Sequence, residues 1–173
     1  MELDVAVGLI DKGVKQTGIS QAWMDLGAGS GLFTQALSLI LAAGSTIEAV
    51  DKDARALEKI RVKAGINLIT VRDDFTRRVS GKNHWEGILM ANSLHFEAEK
   101  SRLLGKLKVG LRPSGRLIVV EYEMRSASPW VPYPVGYDDL KRIALDIGFA
   151  FVEKIGETPS AFGKATIYSS VLY

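Results

Sequence analysis

Ala22-Trp23-Met24-Asp25-Leu26-Gly27-Ala28-Gly29-Ser30-Gly31 is a short apolar run that ends in an acid and passes into three glycines at alternate positions. An apolar amphipathic segment, LFTQALSLILAAG, follows at 32–44. This is the order of a buried parallel strand, a tight loop and a helix. Glycines in such a loop allow positive φ and let a ligand approach the main chain without meeting Cβ atoms. Asp51 closes the next strand-like run, TIEAVD, about 20 residues beyond Gly31, where the hydroxyls of a nucleoside ribose find their acceptor. The pairing predicts a nucleoside-containing cofactor.

The 173 residues are enough for one domain over 1–173 with a three-layer core, burying roughly 70% of its surface on folding. Hydrophobic residues make up 47% and charged residues 24%, an ordinary globular balance, and no apolar run reaches the roughly 18 residues a bilayer-spanning helix needs. No membrane segment is therefore expected. MELDVAVGLIDKG at the N-terminus carries acids where a signal peptide is basic, so a cytoplasmic location follows by default. Cysteine is absent, which excludes disulfides, thiolate metal sites and a cysteine nucleophile and leaves the redox compartment open. A net charge of +2 gives no basic footprint of a dedicated nucleic-acid binder, without forbidding nucleic acid as a partner.

Leu3, Val7, Ile10 and Val14 recur at helical spacing, predicting a first helix over 3–13. Strands are expected at 22–26, 46–50, 67–72 and 85–90, and from Arg116 through RLIVVEYE. Helices are expected at 31–43, at 53–63 with Asp53 as N-cap, at 97–111 and at 137–147. LRPSG at 111–115 reads as a helix stop and turn. The extended runs 149–154 and 165–173, joined by TPSAFGKA, suggest a terminal hairpin whose last strand is antiparallel. Alternating strands and helices imply parallel pairing, right-handed crossovers and helices on both faces of the sheet. Ligands of such sheets bind outside the carboxyl ends of the strands at the topological switch point. Asp25, Asp51, Asp73/Asp74, Asn92 and Glu121/Tyr122 all fall at predicted strand ends, so five strands deliver polar groups to one rim.

The ordered set of motifs resembles that of the class I S-adenosylmethionine-dependent methyltransferases over most of the chain. DLGAGSG at 25–31 is similar to their first motif, EAVDKD at 48–53 to their acidic second motif and VRDDF at 71–75 to their acidic–aromatic adenine site. WEGILMANSLHF at 85–96 is similar to the motif of the fourth strand, and LRPSGRLIVVE at 111–121 to the segment leading into the fifth. The resemblance implies a three-layer, Rossmann-like α/β fold with S-adenosyl-L-methionine as cofactor. By position, Gly27, Ala28, Gly29 and Gly31 would hold its methionine part on the loop backbone, with Asp25 near the ammonium. Asp51 would accept from both ribose hydroxyls, with Lys52 beside it. Asp74, rather than Asp73, would accept from the adenine amino group, while Phe75 supplies an apolar wall and a backbone N–H. Asn92 would lie beside the sulfonium. Two departures from the family matter. Many relatives carry a longer segment before the first strand, often a substrate lid, where this chain has about 21 residues. Met90-Ala91-Asn92 lacks both the NPPY-like signature of nucleobase amino methylation and the acid pair that holds magnesium, so no metal is implied. The missing cysteines exclude pyrimidine C5 chemistry through a thiol adduct.

Each reading has a plainer competitor. A dinucleotide loop needs a small residue at the sixth position, and counted from Gly27 that position is the bulky Leu32. His95 lies just past the fourth strand, where it can act as a general base or simply pack and cap a helix. His84 reads as exposed. Tyr122, Trp130, Tyr133 and Tyr137 cluster in a segment stiffened by Pro129, Pro132 and Pro134. That segment is a substrate wall, a homodimer contact or a structural loop, and Tyr122, Trp130 and Tyr133 are the candidate substrate-binding residues. Arg112 and Arg116 read as solvated charge on the opposite rim. The function expected is in-line methyl transfer to a small or medium-sized acceptor. The alternatives are a non-catalytic cofactor-binding partner subunit, or an RNA or protein methyltransferase with an open cleft.

Overall fold

The strands are β1 (Ala22–Leu26), β2 (Thr46–Asp51), β3 (Asn67–Arg72), β4 (Trp85–Ala91), β5 (Leu111–Tyr122), β6 (Val152–Pro159) and β7 (Thr166–Leu172). In the computed structural model, which describes residues 1–77, 81–160 and 165–173, they form one sheet in the order β3-β2-β1-β4-β5-β7-β6. Neighbours from β3 to β5 pair in parallel, and β7 runs antiparallel to both β5 and β6. This is the expected α/β fold with its antiparallel C-terminal hairpin; residues 161–164 of the expected connection lie outside the described residues.

The helices are α1 (Leu3–Ile10), α2 (Leu32–Ile40), α3 (Ala54–Leu57), α4 (Lys100–Gly110) and α5 (Tyr137–Asp146). Successive strand residues point to opposite faces, and both faces are buried. Met24, Ile88, Met90, Leu117 and Val119 join the core under α4 and α5. Trp23, Leu89, Ile118 and Val120 join the core under α1 and α2. Among the described residues no helix is long and apolar enough to cross a membrane.

Several element boundaries differ from the sequence expectation, each for a tertiary reason. The helix expected at 31–43 ends at Ile40, because Leu41 takes an extended conformation and buries its side chain in the core. The helix expected at 53–63 is the single turn α3. Asp53 caps it as expected, accepting from the Arg55 and Ala56 N–H groups. The chain then leaves the helix so that Ile60 can pack beneath Gly31, while the Arg61 guanidinium donates to the Glu58 and Ile60 carbonyls that the helix leaves free. The helix expected at 97–111 is α4 preceded by a separate 3-10 turn, Leu94–Phe96. The run expected at 149–154 is shifted to β6, because Gly148 takes a left-handed φ of 90° and the Phe149 N–H closes α5 onto the Ala144 carbonyl. Leu111 already pairs with Trp85, so the 111–115 turn is an irregularity within β5. Arg116 is not solvated charge: half-buried, it donates to the Gly13 carbonyl and covers the Tyr173 ring at 5.1 Å. Arg112 stays on the surface, paired with Glu86.

Gly87 on β4 lies directly opposite Trp23 on β1, and a Cβ there would come within 2.3 Å of the indole. Gly87→Ala should therefore destabilise the fold by about 3 kcal/mol in urea unfolding, through overpacking. Trp23→Leu in the same chain should recover part of the loss, since it vacates the contested volume.

Candidate functional site

β1 to β5 end on one edge of the sheet, and β1, flanked by β2 and β4, marks the switch point. The glycine loop at this point is held from within. The Gly27 and Ala28 N–H groups donate to the Val50 carbonyl at 2.8 and 3.0 Å, Gly29 to the Asp51 carboxylate at 2.8 Å and Gly31 to the Ala28 carbonyl at 2.9 Å. A phosphate-binding loop must point such donors at its ligand. Here four are committed, and what the loop offers a ligand is carbonyl oxygen and bare Cα surface. That suits an ammonium rather than a pyrophosphate, and agrees with the objection raised by Leu32.

The three glycines have different reasons. A Cβ on Gly27 would lie 2.5 Å from Ser93 Cβ, and one on Gly31 would lie 2.7 Å from Ile60. These two are small because the protein's own side chains press on them. Only at Gly29, with φ 53°, would the added carbon meet nothing within 4 Å, so the space there is left for something else.

The acids around the loop are distinct in character. Asp51 spreads its carboxylate over two backbone donors, Gly29 and Asp53, at 2.8 and 2.9 Å. Asp25 is fully buried, accepts from the Thr34 hydroxyl at 2.6 Å and has a pKa pushed up to about 7. Burial is the main cause, opposed by the Thr34 hydrogen bond and helped by repulsion from Asp51. Asp74 is held below its ordinary value: burial works to raise it, but hydrogen bonds from Thr76 and Lys52 outweigh that. Its carboxylate accepts from the Thr76 N–H and hydroxyl and pairs with Lys52 at 3.1 Å. Asp73 accepts from the Asp74 N–H. Phe75 is buried among the core residues, its ring edge 3.6 Å from where a Gly27 Cβ would be.

Asn92 follows β4 with φ 51°, a left-handed conformation that asparagine tolerates better than most residues. Its N–H donates to the Val120 carbonyl at 2.8 Å, and its Oδ1 is buried with no partner among the described residues. Next to it, Ser93 donates to the Leu26 carbonyl at 2.6 Å and so ties the end of β4 to the glycine loop.

Asn92 also stands at the edge of a cavity of about 720 Å³ whose walls are Asn92, His95, Phe96, Tyr122, Met124 and Trp130. Ser128 and Val131 complete it and close a tight turn through paired backbone bonds of 3.0 and 3.1 Å, which carries Trp130 at its tip, 84% exposed. The proline-rich segment is tied down beyond the turn. The Tyr133 N–H donates to the His95 carbonyl at 3.0 Å, and the buried Tyr168 hydroxyl donates to the Val135 carbonyl at 2.8 Å. Tyr122 and Trp130 thus face the cavity, whereas Tyr133 is set beside it with Lys100 over its ring. His84 is exposed. The sequence reading passed over Thr34, Ser93 and Thr76, whose hydroxyls carry no motif, and left Met124 and Ser128 unassigned within a stretch it had marked. It placed Glu121 at the rim; the structure buries it against His95.

Residues 24–119, over half of the chain, match the family described as a methyltransferase domain. No curated protein sequence matches the chain. Among solved structures, it is similar to a SAM-dependent methyltransferase from Leishmania major, with 14% identity and a TM-score of 0.74 over 97% of this chain and 71% of that one. A SAM-dependent methyltransferase from Aquifex aeolicus aligns with 15% identity and a TM-score of 0.69 over 97% of this chain and 89% of that one. The 1,6-didemethyltoxoflavin-N1-methyltransferase of Burkholderia thailandensis, solved with 1,6-didemethyltoxoflavin and S-adenosylhomocysteine bound, aligns with 17% identity and a TM-score of 0.69 over 98% of this chain and 76% of that one. At these identities the likeness is one of fold.

Two outcomes test the site's construction. Because the folded-state pKa of Asp25 is raised, its ionisation costs stability as pH climbs from about 4 towards 7, roughly 4 kcal/mol in all. Asp25→Asn should therefore raise the thermal midpoint strongly at pH 8 and little at pH 4. Gly29→Ala should cost only about 1 kcal/mol, the strain of a side chain at positive φ. Gly27→Ala should cost more than twice that, since Ser93 must also move.

Proposed function

The chain belongs to the methyltransferase-domain family, and on that premise we propose that it methylates a small, largely apolar acceptor, with S-adenosylmethionine as the donor. The observation that carries the acceptor class is the cavity of about 720 Å³ between Asn92 and Trp130, which begins where Ser93 ties β4 to the glycine loop. Its size is that of a pocket for a single small organic molecule. Its walls are mainly aromatic or aliphatic, and none of the lining residues named above is a lysine or arginine able to meet a phosphate. This favours a small acceptor over RNA.

The residues around the loop fit the cofactor. Each oxygen of Asp51 accepts one N–H and retains capacity for a ribose hydroxyl. The carboxylate of Asp25 and the unpartnered Oδ1 of Asn92 answer a cationic end, and the open space at Gly29 lets the ligand close on the backbone. Asp74, Lys52 and Phe75 form the third-strand corner to which we assign the adenine. S-adenosylmethionine supplies an already activated methyl carbon, so the protein's task is to hold the acceptor's nucleophile about 3 Å away and in line. Asn92 and Tyr122 stand at the ends of adjacent strands to do that, and the stiff turn bearing Trp130 closes the far wall.

Titration calorimetry with S-adenosylhomocysteine tests the cofactor assignment. Asp51→Ala should weaken binding by about 2–4 kcal/mol, through lost hydroxyl contacts and release of the Gly29 N–H. Unchanged affinity with an intact fold would remove Asp51 from the site. Since Trp130 is mostly solvent-exposed, Trp130→Ala should leave stability within about 0.5 kcal/mol. It should lower acceptor turnover without altering S-adenosylhomocysteine affinity. If sedimentation instead shows a dimer falling apart, the loop is a subunit contact.

A further inference from the structure

Glu121 is 1% exposed, the penultimate residue of β5 before the rim, where an unpaired carboxylate would be costly. Its partner is His95. Oε1 accepts from the His95 backbone N–H at 3.1 Å, and Oε2 lies 2.8 Å from His95 Nδ1. A carboxylate at that distance fixes the ring proton on Nδ1 and leaves Nε2 as the basic nitrogen. Among the described residues the ring's hydrogen bond is made at Nδ1, and His95, 3% exposed, lines the cavity. Stapling the 3-10 turn would need only the bond to the backbone N–H. The second oxygen, set against the ring, serves a base.

We propose that His95 is the general base of this enzyme with Glu121 as its positioning residue, and that the acceptor is an aromatic hydroxyl compound. The inference rests on the methyltransferase reading above. Phe96, Tyr122 and Trp130 supply aromatic walls on which such a ring stacks. The acceptor oxygen forms its bond to the methyl carbon as the carbon–sulfur bond breaks and that electron pair passes to sulfur. The hydroxyl proton ends on Nε2, and the resulting imidazolium faces the Glu121 carboxylate. The other titratable groups around the pair are Tyr122 on β5, Tyr168 on β7 and Lys100 on α4. Burial pushes both tyrosine hydroxyls up, so they stay neutral, and pushes the Lys100 ammonium down while it donates to the Glu97 carbonyl.

The test uses 4-nitrophenol, whose anion is coloured, added to protein saturated with S-adenosylhomocysteine at about one pH unit below the phenol's own pKa. Binding to the parent protein should develop the phenolate band. Glu121→Gln should lower the bound phenolate fraction at least about tenfold, the effect of removing an opposite charge from beside the imidazolium, and His95→Gln should abolish the band. Both should bind S-adenosylhomocysteine as the parent does. Long-range proton–nitrogen NMR of the parent should show His95 protonated at Nδ1 and bare at Nε2, which decides the matter should either variant fail to fold. A bound phenol without the band, a band that survives in His95→Gln, a proton on Nε2, or no binding at millimolar phenol would each overturn the proposal. Failure of S-adenosylhomocysteine to bind would instead overturn the methyltransferase reading beneath it, so the two failures are distinct.

Discussion

The Asp51 carboxylate accepts from the Gly29 N–H at 2.8 Å and from the Asp53 N–H at 2.9 Å, and the shape of the cradle depends on that double contact. One oxygen fixes the glycine loop against the end of β2. The other sets the entry to α3, where Asp53 in turn caps the helix. With the Gly27, Ala28, Gly29 and Gly31 N–H groups drawn inward, the ligand side is left largely to carbonyls and open space at Gly29. The same contact therefore disfavours phosphate ligands, and it leaves each Asp51 oxygen with capacity for one further donor, as the proposed ribose contact requires.

Around this point the protein uses little covering structure. α3 is one turn, and among the described residues no helix connects β3 to β4. The edge strand β3 is correspondingly exposed, with Ile69 at 48%. Ile60 compensates locally by packing under Gly31 together with Ala49 and Leu57. The opposite side, by contrast, is layered in full by α4 and α5, which buttress the strands that end in Asn92 and Glu121. The cavity lined by Asn92 and Tyr122 is built on the better-packed side, which suits the fixed alignment that the proposed methyl transfer requires.

Two buried acids, Asp25 and Glu121, stand where apolar residues would pack at lower cost. Asp25 ionises only with difficulty in its buried position, at about 7, and a cationic ligand would relieve that. Glu121 is compensated within the protein by His95 and by the Tyr122 N–H. A core free to maximise stability would carry apolar residues at both places.

The sequence by itself determined the mostly parallel α/β sheet, the antiparallel last strand and the rim, while the order of the strands came from the structure. Strand periodicity and strand–helix alternation are local signals, and right-handed crossovers allow few topologies. It also placed the glycine loop and the strand-end acids, because a tight loop and a capped helix are written in adjacent residues. Only the tertiary structure decided which glycine faces open space, since that depends on Ser93 and Ile60, residues distant in sequence. It alone shortened the helix after Asp53, where packing of Ile60 outweighs helix propensity. It alone joined Glu121 to His95 across 26 positions, and enclosed a cavity with a turn whose prolines suggested stiffness but not direction. Such contacts arise from side chains that meet across neighbouring strands, and no spacing along a single strand or helix encodes them.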